Sequence, residues 1–211
     1  MAITICDLPS PPSHRRFHVD LDETYISVTV TARAAVVRRW INTTNYLYRP
    51  YLGRLIVGLG VQWTPGDGDA PADTLQLCVG CRCLVYQLSH SPYVPSKLRQ
   101  FLMDPCNTFV GFWNHSDRLK LAISKHRLNM LRNPLDIREY VVTDDGESLQ
   151  GASVEEIVRE YLGIDGVRMR KEISMSDWGD ESLSDEQVLQ VTLDAHCAFE
   201  IGKNIRAWRF T

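Results

Sequence analysis

Two acidic side chains, Asp117 and Asp194, are of a type that can hold metal ions, although a helix N-terminal carboxylate and a surface acid are the simpler interpretations of their positions. Asp117 follows Ser116, a good N-cap residue, at the start of a predicted helix, and Asp194 lies within a long predicted C-terminal helix. Carboxylate oxygens are preferred ligands of hard divalent cations, and two such ions about 4 Å apart catalyse phosphodiester cleavage. Three or four carboxylates usually hold the two ions, so this pair alone is an incomplete set.

A complete set would add an Asp-x-Glu pair on a central strand, because period-two alternation directs both side chains to one face. A tyrosine one helical turn before the last carboxylate would position the attacking water. The almost continuously apolar segment 55–63 predicts a central strand buried on both faces. This segment contains no acidic residue.

The strands around this segment define the scaffold. An alternating, β-branched segment at 25–31 predicts a half-buried strand. Segments 74–78 and 81–88, joined by a tight turn, form with 55–63 a predicted three-stranded antiparallel meander. A further buried strand is predicted at 108–112.

Helices are predicted from apolar periodicity and from their caps. Capping boxes at Ser153 with Glu156 and at Ser184 with Gln187 open the last two. The predicted helices cover 32–41, 95–103, 117–126, 153–162 and 184–204. A meander followed by alternating helices and strands indicates an α/β fold with a mixed sheet and helices packed against it.

Several segments, in order, resemble the Werner-type DEDDy 3′–5′ exonucleases of the ribonuclease-H-like superfamily. The resemblance covers roughly 24–205 and is closest to the small plant Werner-like exonuclease proteins. It implies a ribonuclease-H-like exonuclease fold, in which α-helices flank a mixed sheet of an antiparallel meander and parallel strands. The segments similar to the first motif, the hairpin, the second motif and the third motif are 56–63, 74–88, 109–121 and 175–195.

The resemblance also identifies the catalytic positions, three of which are substituted. Asp117 and Asp194 match the family's second and third motifs. Gly60 and Gln62 replace the Asp and Glu of the first motif, and Gln190 replaces the tyrosine. Two lost charges a few ångströms from each ion weaken metal binding by several kcal/mol at an effective dielectric of about 20. We therefore expect no tightly bound cofactor; Mg²⁺ or Mn²⁺ would serve an active enzyme.

Few other groups could replace the missing ligands. Asp67 and Asp69 lie in a loop just after the central strand, and His196 is two residues after Asp194, on a different helix face. The three cysteines of Cys78-x-x-Cys81-x-Cys83 lack a second ligand pair at zinc-site spacing. This cluster is interpreted as small buried or edge thiols rather than a zinc site.

Three residues of the second motif are candidate nucleic-acid contacts: Trp113, His115 and Arg118. Trp113 lies beside the expected cleft, where an exposed indole would stack on a base. His115 could reach the cleft, although a surface histidine is the simpler interpretation. Trp63 and Trp178 are predicted to lie in the core.

Composition indicates one ordinary globular domain. The 211 residues are 44% apolar and 23% charged. We expect a flexible, Pro- and Ser-rich segment at 1–16 and the exonuclease-like domain at 17–211. Without a membrane-length apolar run or a signal pattern, the sequence predicts an intracellular protein of the cytoplasm or nucleus, with reduced cysteines.

Three functions remain open from the sequence. The leading hypothesis is a degenerate exonuclease-like domain that binds single-stranded RNA or DNA, or acts as a scaffold, with little or no hydrolysis. The alternatives are an active exonuclease with rearranged ligands and a protein-interaction domain without nucleic-acid affinity, which the net charge of −3 favours. By resemblance we expect a homo-oligomer, with a hexamer as the specific form.

Overall fold

The computed structural model describes residues 3–66 and 69–211, and within them a mixed eight-stranded sheet forms the centre of the molecule. The pairs β3–β6, β4–β7 and β7–β8 are parallel and the others are antiparallel, in the order β1-β2-β3-β6-β5-β4-β7-β8. The strands are β1 Thr4–Leu8, β2 Arg15–Leu21, β3 Thr24–Thr31, β4 Leu55–Gln62, β5 Thr74–Val79, β6 Arg82–Gln87, β7 Asn107–Gly111 and β8 Leu135–Asp136. The predicted meander, β4-β5-β6, is confirmed.

Helices flank this sheet, as the α/β prediction requires. Both predicted capping boxes form: the hydroxyls of Ser153 and Ser184 accept hydrogen bonds from the backbone N–H groups three residues later. The helices are α1 Ala34–Leu47, α2 Ser96–Leu102, α3 Asp117–Ile123, α4 Val154–Leu162, α5 Lys171–Ser174 and α6 Asp185–Asn204. Short 3₁₀ turns follow at Arg49–Tyr51, Ile137–Glu139 and Ala207–Arg209. None of the helices in the described ranges has the length and hydropathy needed to cross a bilayer.

The close packing of α6 on β4 depends on Gly58. A Cβ atom on this residue would lie 1.8 Å from the carbonyl oxygen of Ala195, far inside contact distance. Only glycine lets the helix backbone approach the strand this closely. The approach brings the neighbouring Asp194 of α6 next to Gly60, two residues further along β4.

The N-terminal region differs from the sequence prediction. Where a flexible segment was expected up to residue 16, Thr4–Leu8 forms β1 and pairs antiparallel with β2, which itself begins at Arg15. Alternate side chains Phe17, Val19 and Leu21 of β2 are fully buried, so this strand belongs to the core and provides an edge for β1. The alternation is visible in the sequence, but the prediction for this region used only its proline and serine content.

The prediction of reduced cysteines is wrong for one pair. Cys78 and Cys83 lie directly opposite each other on β5 and β6, with their Cα atoms 4.2 Å apart, and are joined by a disulfide. The cross-strand register brings the two thiols together. Cys81, in the turn between them, is free and exposed, so the disulfide joins the first and third cysteines of the cluster and leaves the Cys-x-x-Cys pair unbonded.

Candidate active-site cavity

The five positions singled out for catalysis surround one cavity. Gly60, Gln62, Asp117, Gln190 and Asp194 line a space of about 380 Å³, which we call the Asp194 cavity. β4 supplies the first two residues, the first turn of α3 supplies the third, and α6 supplies the last two. Because β7 runs parallel to β4, the helix that follows it begins beside the carboxyl end of β4.

The space beside Gly60 is already filled. A Cβ atom on Gly60 would lie 3.3 Å from Oδ2 of Asp194 and 3.1 Å from Oε1 of Gln76. Gln76 is opposite Gly60 in the β4–β5 register and is 1% exposed. Its Nε2 donates to the hydroxyl of Thr74, whereas Oε1 has no hydrogen-bond partner among the described residues. A first-motif aspartate would therefore compete with a buried amide and with the retained carboxylate.

Gln190, at the position where the sequence resemblance implies a tyrosine, holds two segments of the chain together. Its Oε1 accepts from the backbone N–H of Arg170 at 2.8 Å, and its Nε2 donates to the hydroxyl of Ser174 at 2.8 Å. The same Nε2 lies 3.2 Å from the carbonyl of Arg170. The side chain thus fastens the segment around α5 to α6 and is not free to position a water molecule.

The two retained carboxylates favour their protonated forms. Burial, and to a lesser extent the negative charge of Asp136, raises the pKa of Asp194 to about 7. The pKa of Asp117, which is 5% exposed, lies well above its usual range, first because of burial and then because of Asp194 and Asp136. Neighbouring buried carboxylates resist ionisation together. The pair therefore carries less than its formal charge near neutral pH.

Solved structures share this architecture. The Aedes aegypti Nibbler EXO domain matches with a TM-score of 0.64 and 16% identity, over 92% of each chain. The fold is that of a ribonuclease-H-like exonuclease domain. Escherichia coli RNase D, an exoribonuclease involved in structured RNA processing, matches with a TM-score of 0.60 and 17% identity over 79% of this chain and 43% of RNase D. Brucella melitensis NrnC matches with a TM-score of 0.55 and 18% identity over 74% and 73%.

These likenesses concern the fold of the exonuclease domain. The chain spans less than half of RNase D but nearly all of the Nibbler EXO domain. No family model matches the chain, and no curated protein matches it by sequence.

One acidic residue near the two retained aspartates, Asp136, was not predicted as part of the site. The sequence of 135–141 predicted only a short strand or turn. Asp136 ends β8 and raises the pKa values of both retained aspartates. Its carboxylate receives two hydrogen bonds from the Arg138 guanidinium, Nη2 to Oδ2 at 2.5 Å and Nε to Oδ1 at 3.0 Å, and a third from the Arg138 backbone N–H to Oδ1 at 3.2 Å. This ion pair uses both carboxylate oxygens of Asp136 and partly offsets its negative charge.

Glu155 is the other carboxylate that sequence reasoning missed. It lies in the first turn of α4 and lines the Asp194 cavity. Its Oε1 accepts a hydrogen bond from the backbone N–H of Met169 at 2.7 Å. The capping box predicted only that Glu155 lies near the start of a helix. Its contact with Met169, 14 residues later, depends on the tertiary fold, which local sequence does not predict.

Of the three candidate nucleic-acid contacts, only Trp113 lines the Asp194 cavity. Its indole is 55% exposed, its φ is +50°, and the guanidinium of Arg138 lies 3.3 Å from the ring centroid. His115, just before α3, and Arg118, in its first turn, are exposed, and Arg118 donates to Oδ1 of Asn133 at 3.3 Å. One face of Trp113 is thus covered by a cation and the rest of the ring remains available.

Two tryptophans predicted for the core have different environments. Trp178 is fully buried, as predicted. Trp63 is only partly buried and lines the Asp194 cavity, which the sequence prediction did not foresee. The ammonium group of Lys120 lies 4.8 Å from the Trp63 ring centroid. A cation and an indole therefore also border the cavity on this side.

Two substitute ligands considered from the sequence, Asp69 and His196, approach other groups. Asp69 approaches Lys120, with 3.9 Å between Oδ1 and Nζ, and Asp67 lies outside the described residues. His196 faces the β5–β6 turn, where its Nδ1 is 3.2 Å from the carbonyl of Gly80. Within 3–66 and 69–211, no group of three or more His, Cys, Asp or Glu side chains is arranged to hold a metal ion.

The donor set around the cavity does not suit two hard divalent ions. Gly60 offers no donor, Gln62 offers a neutral amide, and the carboxylate of Asp136 is paired with Arg138. Mg²⁺ favours ionised oxygen ligands, and among the described residues only three acidic side chains, Asp117, Glu155 and Asp194, line the cavity. Glu155 already accepts a hydrogen bond from the Met169 N–H, so the set of carboxylates is incomplete for two ions.

Proposed function

We propose that this chain is a degenerate 3′–5′ exonuclease-like domain, a pseudoenzyme that binds single-stranded RNA or DNA at the Asp194 cavity with little or no hydrolysis. One observation carries the proposal: the place of the first-motif carboxylate is a glycine, and Asp194 and Gln76 fill the space beside it. The hydrogen bonds of Gln190 support it, because they use the position of the catalytic tyrosine for structure.

The rim of the cavity supports strand binding. Trp63 lies close to the cationic Lys120, and Trp113 lies against Arg138. Aromatic rings that are open to solvent bind single strands, because each base can stack on a ring. The buried cations Lys120 and Arg138 hold the two rings from one side. The deeper wall is acidic, with Asp117 and Asp194, so the proposal places bases rather than phosphates against it.

Binding of a single strand is expected to depend on Trp113. Replacing it with alanine should weaken binding of a labelled oligonucleotide about tenfold, since stacking on one aromatic ring contributes about 1–3 kcal/mol. Filter binding at low salt measures this, and retention should fade as salt rises. The matched control is Tyr25→Ala on β3, another aromatic ring with 66% exposure. Equal loss in both variants, or no retention at any salt, would count against the proposal.

Hydrolysis is expected to be absent or minimal. With labelled single-stranded RNA or DNA and Mg²⁺ or Mn²⁺, 3′-end degradation should not exceed that of a matched Asp194→Asn variant. The double variant Gly60→Asp with Gln62→Glu restores both carboxylates, but the new Cβ meets Gln76. A second version therefore adds Gln76→Ala. Calorimetry should show at least tenfold tighter Mn²⁺ binding by this triple variant than by the natural protein.

The rival proposal is an active exonuclease with rearranged ligands. Two additional carboxylates favour it, Asp136 beside the cavity and Glu155 on its wall. Both would have to release their present partners, Arg138 and the Met169 N–H. Degradation from the 3′ end that Asp194→Asn abolishes would establish this rival and overturn the degenerate assignment.

A scaffold role in protein interaction is favoured by exposed apolar side chains. Tyr46, Leu47, Tyr51 and Leu52, at the end of α1 and just beyond, are each 52–68% exposed. With this surface and the resemblance to small plant Werner-like proteins, we propose a homo-oligomer, with a hexamer as the specific form, in the cytoplasm or nucleus. Light scattering that gives a mass near 24.1 kDa would contradict the oligomer.

A further inference from the structure

A second cavity lies at the opposite end of β4 from the Asp194 cavity and shares no lining residue with it. Its volume is about 610 Å³, within the range of small-molecule sites. The walls come from the start of β4, the β5–β6 turn, the end of α6 and two 3₁₀ turns, Arg49–Tyr51 and Ala207–Arg209. We call it the Arg206 cavity.

The charge of the Arg206 cavity is positive. Four cations line it, Arg54, Lys203, Arg206 and Arg209, against the single acid Glu200. Four positive charges and one negative charge leave a formal charge of +3. Glu200 pairs with Lys203, whereas the three arginines make no ion pair within the described part of the chain. Unpaired guanidinium groups with several fixed donors are well suited to a phosphate group.

The rest of the Arg206 cavity is apolar and aromatic. Buried apolar residues such as Ile56 and Phe199 back the cavity, and Tyr51 and Trp208 contribute rings that are exposed or partly exposed. Tyr51 is 52% exposed, so its ring is available to a ligand. A planar ring system would bury its faces against such side chains, because aromatic pairs stack in offset or edge-on contact.

Phosphate-binding and ring-binding groups are adjacent here. The guanidinium of Arg54 lies 5.6 Å from the Trp208 ring centroid. Arg206, between α6 and the following turn, has φ of +56°, a conformation unfavourable for residues other than glycine and typical of functional sites. We propose that the Arg206 cavity is a binding site for a single nucleotide, with phosphate at the arginines and the base against the aromatic wall.

This assignment is independent of the proposed activity at the Asp194 cavity. The cavity has room for one nucleotide unit, which could come from a free mononucleotide or from the phosphorylated end of a strand. Both contain a phosphate that is joined through a sugar to a planar base. The experiment below distinguishes the two sources.

Calorimetric titration of the full chain in EDTA tests the site with AMP, adenosine and inorganic phosphate. AMP should bind at least tenfold more tightly than either fragment. Arg54→Gln and Arg206→Gln should each weaken AMP binding about tenfold, the effect of one charge-assisted hydrogen bond. Arg38→Gln, at an exposed arginine of α1 outside both cavities, should leave AMP binding unchanged.

Three results would overturn the proposal. Inorganic phosphate that binds as tightly as AMP would show a general anion patch. Unchanged AMP affinity in both Arg54→Gln and Arg206→Gln would show that the arginines do not hold the phosphate. A loss in Trp113→Ala as large as in Arg206→Gln would place AMP in the other cavity.

A 5′-phosphorylated trinucleotide identifies the source of the nucleotide. If it binds as AMP does and loses affinity in Arg206→Gln, the cavity receives strand ends. If AMP alone binds, the ligand is a free mononucleotide. Either result, together with the dependence on Arg206, supports recognition of a nucleotide at this site.

Discussion

Replacing Gly58 with alanine is expected to destabilise the protein by about 3 kcal/mol, because overpacking usually costs about 1–3 kcal/mol and here the obstacle is backbone. The added Cβ would lie 1.8 Å from the carbonyl oxygen of Ala195 and 2.9 Å from its carbonyl carbon. These atoms belong to the interior of α6 and cannot rotate away as a side chain could. The helix would have to move off β4, and Asp194 would move with it.

Urea denaturation measures this change, with an expected drop in the midpoint of roughly 1–3 M for slopes of about 1–3 kcal/mol/M. Gly151→Ala is the matched control, since a Cβ there meets no atom within 4 Å. It should change stability by less than about 0.5 kcal/mol. A Gly58→Ala variant as stable as its parent would contradict the close contact of α6 with β4.

The stability of the metal-free protein is expected to fall as pH rises from about 4 to about 7. The pKa of Asp194 is about 7 in the folded protein, against an ordinary value of 3.8. Between these values the folded state binds more protons than the unfolded state, so the free energy of unfolding decreases with pH. Burial raises the pKa of Asp117 in the same direction, and its contribution has the same sign.

Asp194→Asn should remove much of this pH dependence, because an amide resembles the protonated carboxyl group. We expect the variant to match its parent at pH 4 and to be about 2 kcal/mol more stable at pH 8. A shift of three pKa units corresponds to at most about 4 kcal/mol, and hydration of the cavity offsets part of that.

Urea titrations in EDTA at pH 4.5, 6 and 8 would show the effect. Asp144→Asn, at an exposed site, is the control and should follow the parent at every pH. If Asp194→Asn were less stable than the parent at pH 8, the ionised carboxylate would be stabilised by its surroundings. Burial would then not favour the protonated forms of Asp117 and Asp194.

Local sequence patterns predict most of the scaffold. The apolar run of β4, the hairpin of β5 and β6, and both capping boxes depend on neighbouring residues, and all are confirmed. The β1–β2 hairpin was missed although Phe17, Val19 and Leu21 alternate in the sequence. The Cys78–Cys83 disulfide depends on strand register, which spacing alone does not determine.

The site was predictable only in outline. The order of the motifs predicted that residues from β4, α3 and α6 would converge, and all five positions line one cavity. The partners of these residues were not predictable, because they come from elsewhere in the chain. Gln76 meets Gly60 through pairing of adjacent strands, and Arg170 meets Gln190 across a loop and α5. These contacts determine which side chains of the cavity are free to bind a ligand.

The filled space beside Gly60 has an evolutionary consequence. A single mutation that restored aspartate at this position would crowd Gln76 and place a new carboxyl group against Asp194, before any gain in metal binding. A glutamate at position 62 alone would add a charge to a cavity that already favours protonated acids. Neither substitution alone supplies a complete set of metal ligands. Under the proposed function, a gain of hydrolysis would therefore require changes at Gly60, Gln62 and Gln76 together.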